Sequence, residues 1–358
     1  MLNVDYIIVG LGLAGLSFAE QLIKANQSLI AFENHSQTSS LVAGGVYNPI
    51  ILKRYTPVWN AKSQLEIAMP FYQSLEERYR VTLLDNKFST RKVFKSIEDQ
   101  NNWYLASDHP KLTEFMNPRT INEQVKGIRG DFGFGEVYQT GRIDTHLLVS
   151  LYRQYLKNNK TIRSEEFKHS HIKLDQNGVL YKDIRAKKIV FCEGYGIKSN
   201  PYFNDLPLNG TKGETITIKA PELKINFLLK STLFILPIKN DLYKVGATFN
   251  WTDTTPTPTE SGRLELVEKL DKVIDVPYEI VDHNAGIRPT VKDRRPLVGI
   301  HPKYSQLAVL NGLGTRGVMI APTVAKQLFE HLEYKKPLDQ EIDILRCQKK
   351  DFQKRLHS

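Results

Sequence analysis

Gly10-Leu11-Gly12-Leu13-Ala14-Gly15 sets three glycines at a spacing that lets a chain turn tightly, present backbone N–H groups at a helix start and pack that helix close to a strand. Glu33, eighteen residues after Gly15, is a carboxylate placed to accept both hydroxyls of an adenosine ribose. The chemistry this combination suits is dinucleotide binding, with the pyrophosphate on the helix N-terminus. A carboxylate at that point favours an unphosphorylated ribose, which leaves FAD or NAD. Residues Ser39 to Tyr47, Ser-Ser-Leu-Val-Ala-Gly-Gly-Val-Tyr, are a small-residue stretch against which a bulky ligand can lie; taken alone they read equally as a flexible turn. A second glycine-rich helix start, Gly312-Leu313-Gly314-Thr315-Arg316-Gly317-Val318-Met319, offers further backbone donors and a positive dipole end.

The elements that must position these residues are legible around them. Tyr6-Ile7-Ile8-Val9 is the continuous apolar run of a strand covered on both faces and leads straight into Gly10. Leu16, Phe18, Ala19, Leu22 and Ile23 recur at helical spacing, and Ser28 to Phe32 reads as a second parallel strand ending at Glu33. Leu147, Leu148, Leu151, Tyr152 and Tyr155 mark another helix. Ala186 to Gly196 reads as a buried strand ending in glycines, and Leu307 to Leu310 as a strand before a helix that runs to about Glu333. Residues Arg91 to Lys95, Gly213 to Lys219, Thr232 to Pro237 and Leu242 to Phe249 read as strands; period-two alternation in the last two, around Lys239-Asn240-Asp241, predicts an antiparallel hairpin. Trp251 to Thr259 reads as an exposed connection.

Composition narrows the class. The chain has 358 residues, 41% hydrophobic and 25% charged, so it folds as one large or two intertwined domains. No apolar run is long enough to span a bilayer and no leader precedes the first strand, which predicts a cytoplasmic protein. Cys192 and Cys347 lack any metal or redox spacing and are expected as reduced structural thiols, with no metal site. The net charge of +10 raises the question of an anionic partner. Residues 151–200 hold eleven Lys/Arg against five acids, readable either as a solvated surface or as a functional basic face.

From the Ser39 loop onward the chain resembles the D-amino-acid oxidase/glycine oxidase family of FAD-dependent oxidoreductases, in which a Ser-x-x-Ala-x-Gly loop wraps the ribityl and isoalloxazine parts of FAD. Gly141-Arg142-Ile143-Asp144 resembles the family's Gly-x-x-Asp element. The strand ending Cys192-Glu193-Gly194 resembles the one that closes over the nucleotide, although Glu193 departs from the usual Ala/Thr and its role is open. Gly286-Ile287-Arg288-Pro289 through Asp293, Pro296 and Gly299 resembles the Gly-x-Arg-Pro…Asp-x-x-Pro-x-x-Gly signature. The resemblance spans nearly the whole chain. It implies an α/β fold: a Rossmann-type, glutathione-reductase-like FAD-binding domain with an inserted antiparallel-sheet α+β substrate domain. The expected divisions are 1–75, 140–205 and 285–358 for the first, and 76–139 and 206–284 for the second, roofing the flavin.

The resemblance further implies noncovalent FAD held by Gly10, Gly12, Leu13, Ala14, Gly15, Glu33, Asn34, Ser39, Ser40, Ala43, Gly44, Gly45, Gly194 and residues Gly312 to Met319, with Phe167 at the place of backbone contacts to adenine. Donors at the second glycine signature suit the negative charge that develops over N1 and the C2 carbonyl during hydride transfer to N5. Arg288 corresponds to the arginine that pairs with a substrate carboxylate; its other reading is a structural residue braced by Asp293. The implied reaction is oxidation of the C–N bond of an amine or amino acid of the glycine, sarcosine or D-amino-acid type. Oxygen or a carrier would accept the electrons, and Lys212 and Lys230 are candidates for assisting oxygen. Leu313-Gly314-Thr315 departs from the His-Phe-Arg of glycine oxidase-like members. Arg316-Gly317 instead resembles the oxidase half of the enzyme maturing 5-aminomethyl-uridine in tRNA, so action on carboxymethylaminomethyl-uridine is an alternative, as is a non-catalytic FAD-binding protein. Tyr47-Asn48-Pro49, ahead of Lys53 and Arg54, either borders a substrate entrance or caps a loop.

Overall fold

A computed structural model describes residues 1–86 and 89–347. The chain divides into two units, each discontinuous: the first takes Met1–Leu41, Thr145–Thr211 and the chain from Ile287, the second Val42–Asp144 and Lys212–Gly286. The first boundary falls at 41, where 75 was expected. Residues 42–75 group with the second unit because Val46–Tyr47 pairs with Gly141–Ile143, which in turn pairs with Leu84–Asp85 after the helix Ala61–Tyr79. Residues 348–358 of the expected last stretch lie outside the described residues.

In the first unit, five parallel strands lie in the order Ile162–Arg163, Leu29–Phe32, Leu2–Val9, Ile184–Phe191 and Leu307–Asn311. Val9 stands level with both Phe32 and Phe191, so three strands finish in step and their following turns share one edge. The strands are apolar throughout because both faces are covered: Ile7 and Ile8 are fully buried. Leu297–Ile300 adds an antiparallel partner to Leu307–Asn311, and the hairpin Ile172–Asp175/Gly178–Tyr181 pairs with the front of Ile184–Phe191. The helix Leu13–Lys24 buries Leu13, Leu16, Phe18, Ala19 and Leu22 and packs against the helix Gly317–Tyr334.

A seven-stranded sheet, in the second unit except for residues 208–211 and 287–291 of its first two strands, runs Glu279–Val291, Leu208–Lys219, Leu242–Gly246, Phe234–Pro237, Leu228–Lys230, Thr90–Val93, Phe134–Val137. The expected hairpin is present, Phe234–Pro237 against Leu242–Gly246. The sheet is mixed, since Leu228–Lys230 runs parallel to Thr90–Val93. Ile216, Ile218, Leu229, Ile235 and Val245 form a core with Leu266 and Leu270 of the helix Glu260–Asp271, which Thr259 caps by accepting from the Gly262 N–H at 3.1 Å. Among the described residues, no helix is long and apolar enough to cross a membrane.

The first helix can start where it does only because Gly15 has no side chain. A Cβ there would fall on the Gly10 carbonyl oxygen, a backbone atom that cannot swing aside. Gly15→Ala should therefore destabilise the protein by about 1–3 kcal/mol, the usual cost of overpacking, read as a lowered urea midpoint. An unchanged midpoint would contradict this packing.

Candidate functional site

The turns that follow the parallel strands carry most of the residues expected at a nucleotide site. Gly10 has φ +90°, and a Cβ on it would approach the Cys192 carbonyl oxygen to 2.6 Å, so the turns after the first strand and after Ile184–Phe191 touch through backbone alone. Gly12 sits extended at the N-cap of the first helix, with no side-chain cap on it and no acid in the first turn. The start of this helix thus keeps its positive end unneutralised by its own residues. The Leu13 N–H donates to Ser40 Oγ at 3.2 Å, and a Cβ on Gly12 would lie 3.0 Å from the same oxygen. These residues fit a pyrophosphate: bare N–H donors, a hydroxyl and a concavity that any side chain at Gly12 would fill. Leu13, Ala14 and Gly15 are buried in the helix's first turn. Ser39 and Ser40 head a short helix, Ser39–Val42, where a loop was expected.

Glu33 is buried at the end of the second strand. Its Oε2 accepts from the Leu11 N–H at 2.7 Å and its Oε1 from the His35 N–H at 2.7 Å. Arg153 Nη2 stands 3.3 Å from Oε2. Sequence reasoning missed Arg153, which reads as one more cation of a basic stretch; its neighbour Tyr152 on the apolar stripe was the available signal. A carboxylate offers about four lone-pair sites, so these contacts hold Glu33 in place while leaving it acceptor capacity for a ribose hydroxyl. Asn34 Oδ1 accepts from the Ser36 N–H at 3.1 Å and shapes the next turn.

Asn311 is a second residue that the sequence did not single out. Buried at the end of its strand, it donates from Nδ2 to the Gly194 carbonyl at 2.9 Å, while its Oδ1 accepts from the Gly312 N–H at 2.8 Å. It ties together two glycine turns whose φ angles, +55° at Gly194 and +74° at Gly312, suit glycine. Glu193 gains a structural role: Oε1 lies 2.8 Å from His169 Nε2, and Oε2 accepts from Asn200 Nδ2 at 2.7 Å. Phe167 stacks on Tyr181 at 4.1 Å and meets Phe32 edge-on at 5.2 Å, so its side chain belongs to the core behind the Glu33 strand.

Gly314, at φ +58°, has nothing within 4 Å of where its Cβ would be. Thr315 beside it is exposed, Leu313, Val318 and Met319 are buried, and Gly317 opens the last helix, which likewise has no acid in its first turn. A Cβ on Gly317 would lie 3.3 Å from Leu13, which places the two glycine-rich helix starts side by side. Arg316 is partly buried; burial, then Arg294, pushes its guanidinium pKa down. Arg288, on the strand Glu279–Val291, is pushed down to about 10 by burial, and so stays charged at neutral pH in surroundings with little water. Asp293, the brace considered for it, bonds Arg346 Nε at 3.1 Å and the Arg295 N–H at 3.0 Å.

The remaining expected residues lie in the second unit. Gly44 would meet Phe234 at 3.5 Å and Leu236 at 3.6 Å, so the stretch from Ala43 runs over strand Phe234–Pro237. Gly45, at φ +66°, is required by the pairing with Gly141–Ile143, where a Cβ would strike the Ile143 carbonyl. Asn48 Oδ1 accepts from the Ile50 N–H at 2.8 Å, a loop-shaping contact, and Lys53 and Arg54 are exposed. Lys212 is fully buried and bonded to Asp253 at 2.5 Å, holding that carboxyl down at about 2. Its charge is thus matched locally. Among the described residues no cluster of His, Cys, Asp or Glu could hold a metal, and neither Cys192 nor Cys347 is in a disulfide.

Most of the basic stretch is engaged with the protein itself. Arg153, Arg163, Lys182, Arg185 and Lys187 face carboxylates, and Lys188 and Lys198 bond carbonyls. Lys157, Lys160, Lys168 and Lys173 are exposed.

Known proteins resemble the chain over nearly this whole architecture. Glycine oxidase of Bacillus subtilis (strain 168) is 24% identical over 344 residues, 89% of this chain and 90% of that protein. The tRNA 5-methylaminomethyl-2-thiouridine biosynthesis bifunctional protein MnmC of Campylobacter jejuni subsp. doylei is 27% identical over 311 residues, 83% of this chain but 46% of that protein, so the chain spans about half of it. The solved structure of glycine oxidase from Geobacillus kaustophilus superposes with a TM-score of 0.79 at 18% identity, covering 94% of this chain and 96% of that one. The family model described as FAD dependent oxidoreductase (DAO) matches residues 5–331, and the chain belongs to that family.

Proposed function

We propose that this FAD-dependent oxidoreductase oxidises the C–N bond of a small amine or amino acid whose carboxylate is held by Arg288. The observation that carries the reading is the guanidinium of Arg288, kept charged while burial pushes its pKa down to about 10. In such surroundings a planar guanidinium gains most from a carboxylate that can take two parallel hydrogen bonds, and that pairing fixes the orientation of the α-carbon. FAD, when bound, supplies the two-electron acceptor for hydride leaving that carbon. The amine reacts in its neutral form, its proton passes to water, and the imine product hydrolyses. The glycine turns and Ser40 would hold the pyrophosphate, Glu33 the ribose, and the helix start at Gly317 would set a positive field. The similarity to two glycine oxidases supports the substrate class.

A second reading, action on carboxymethylaminomethyl-uridine in tRNA, is favoured by Arg316-Gly317 and by the likeness to the bifunctional tRNA-modifying protein. The engagement of seven of the eleven cations of residues 151–200 with protein groups weighs against a basic RNA-binding face there.

Arg288→Ala should leave the flavin spectrum intact and weaken an amino-acid substrate by about 2–5 kcal/mol, the scale for breaking a desolvated charge pair. Substrate titration of the two proteins measures it, and loss of flavin from the variant would make the arginine structural instead. For the second reading, filter binding of tRNA at rising salt is the check. The amine reading expects no binding with a steep salt slope, whereas a slope equivalent to several released counterions would move the assignment to tRNA.

A further inference from the structure

Backbone groups alone already fix Glu33. Its two oxygens each accept an N–H at 2.7 Å, from Leu11 and from His35, and the Glu33 N–H donates to the Arg163 carbonyl at 3.1 Å. Arg153 nevertheless stands beside it, with Nη2 3.3 Å from Oε2 and only 16% of its side chain exposed. The helix Thr145–Asn158 brings it there. That helix buries Leu148, Val149, Tyr152 and Leu156, and Tyr152 Oη donates to Glu20 on the first helix at 3.3 Å, which fixes the turn that carries Arg153. A mostly buried ion pair adds little to stability, because desolvation offsets the attraction, and this one is not needed to brace the carboxylate. The guanidinium is also under-used. It has five donors, yet among the described residues it makes no hydrogen bond, and Glu33 is its one ion-pair partner. Its Nε is enclosed without a partner, whereas the two terminal nitrogens are not enclosed.

We propose that Arg153 determines cofactor specificity, donating to a hydroxyl of the adenosine ribose of FAD while Glu33 accepts from the same hydroxyl. The inference rests on the assignment of Glu33 to the ribose made above. A cationic donor and a carboxylate acceptor 3.3 Å apart match a hydroxyl, the group that donates and accepts through one oxygen. Other groups fail on one side. A ribose lacking that hydroxyl leaves the Arg153 donors and a Glu33 lone pair unsatisfied, the situation in which a hydrogen-bonding site rejects an analogue. A phosphate on the ribose gains Arg153 but meets the Glu33 carboxylate. An amino group suits Glu33 but, once protonated, is repelled by Arg153. Glu33 alone selects for a donor; with Arg153 beside it, the pair selects for a hydroxyl.

The test is the affinity of the full-length protein for FAD and for two FAD analogues, one lacking the 2′ and one the 3′ hydroxyl of the adenosine ribose, read from flavin fluorescence in competition. The wild-type protein should hold FAD about tenfold tighter than at least one of them, the scale of a hydrogen bond to a charged group. In Arg153→Met, which keeps the apolar stem, that ratio should fall to about two. Arg153→Lys keeps an ion pair with Glu33 and serves where the methionine variant does not fold. One nitrogen there replaces the fork of three, so the ratio should drop by about threefold. An unchanged ratio in either folded variant would overturn the proposal and leave Arg153 a structural partner of Glu33, with the ribose assignment intact. A ratio near one in the wild-type protein would overturn that assignment as well.

Discussion

Everything at the strand ends of the first unit depends on three chain segments meeting through backbone alone. The turn at Gly10, the helix start at Gly15 and the turn after Phe191 come so close that no side chain fits between them. This contact sets the height at which the first helix begins and brings its free N–H groups level with the end of the second strand. Polar side chains then fix what the glycines permit. A buried N–H left without a partner costs about 1–3 kcal/mol, and Glu33 answers that of Leu11 while Asn311 answers that of Gly312.

The local signals in the sequence carried much of this. Apolar runs such as Tyr6 to Val9 and the three-glycine spacing are properties of short segments, and the strand, helix and second strand lie where those segments indicate. What escaped was set by partners distant in sequence. Arg153 reads as surface charge until it is found against Glu33, and Asn311 as an ordinary strand end until it is found bonded to Gly194. The boundary at 41 rests on the two-residue pairing of Val46–Tyr47 with a strand nearly a hundred residues on, too short to show in any periodicity. Glu193, which departs from the family's usual residue, is accounted for by His169 and Asn200. Gly45 reads in the sequence as part of a ligand loop, and the requirement for glycine set there by the Ile143 carbonyl is invisible in it.

Charge is distributed with the same economy. The cations of residues 151–200 are largely matched by nearby carboxylates or carbonyls, and Lys212 is buried against Asp253. Burial lowers the pKa of Arg288 and Arg316 in the first unit, as it does that of Lys188 there and of Lys92, Lys230 and Lys244 in the second. Stability alone does not favour cations in such places, and the functional reading rests on one of them, Arg288.

The most direct test of the account is the visible spectrum of the purified, FAD-loaded protein during anaerobic titration with glycine, sarcosine, proline and D-amino acids. Amine oxidation predicts that at least one of these carboxylate-bearing amines abolishes the oxidised flavin band. A band left unchanged by all of them, and by tRNA bearing carboxymethylaminomethyl-uridine, would contradict it.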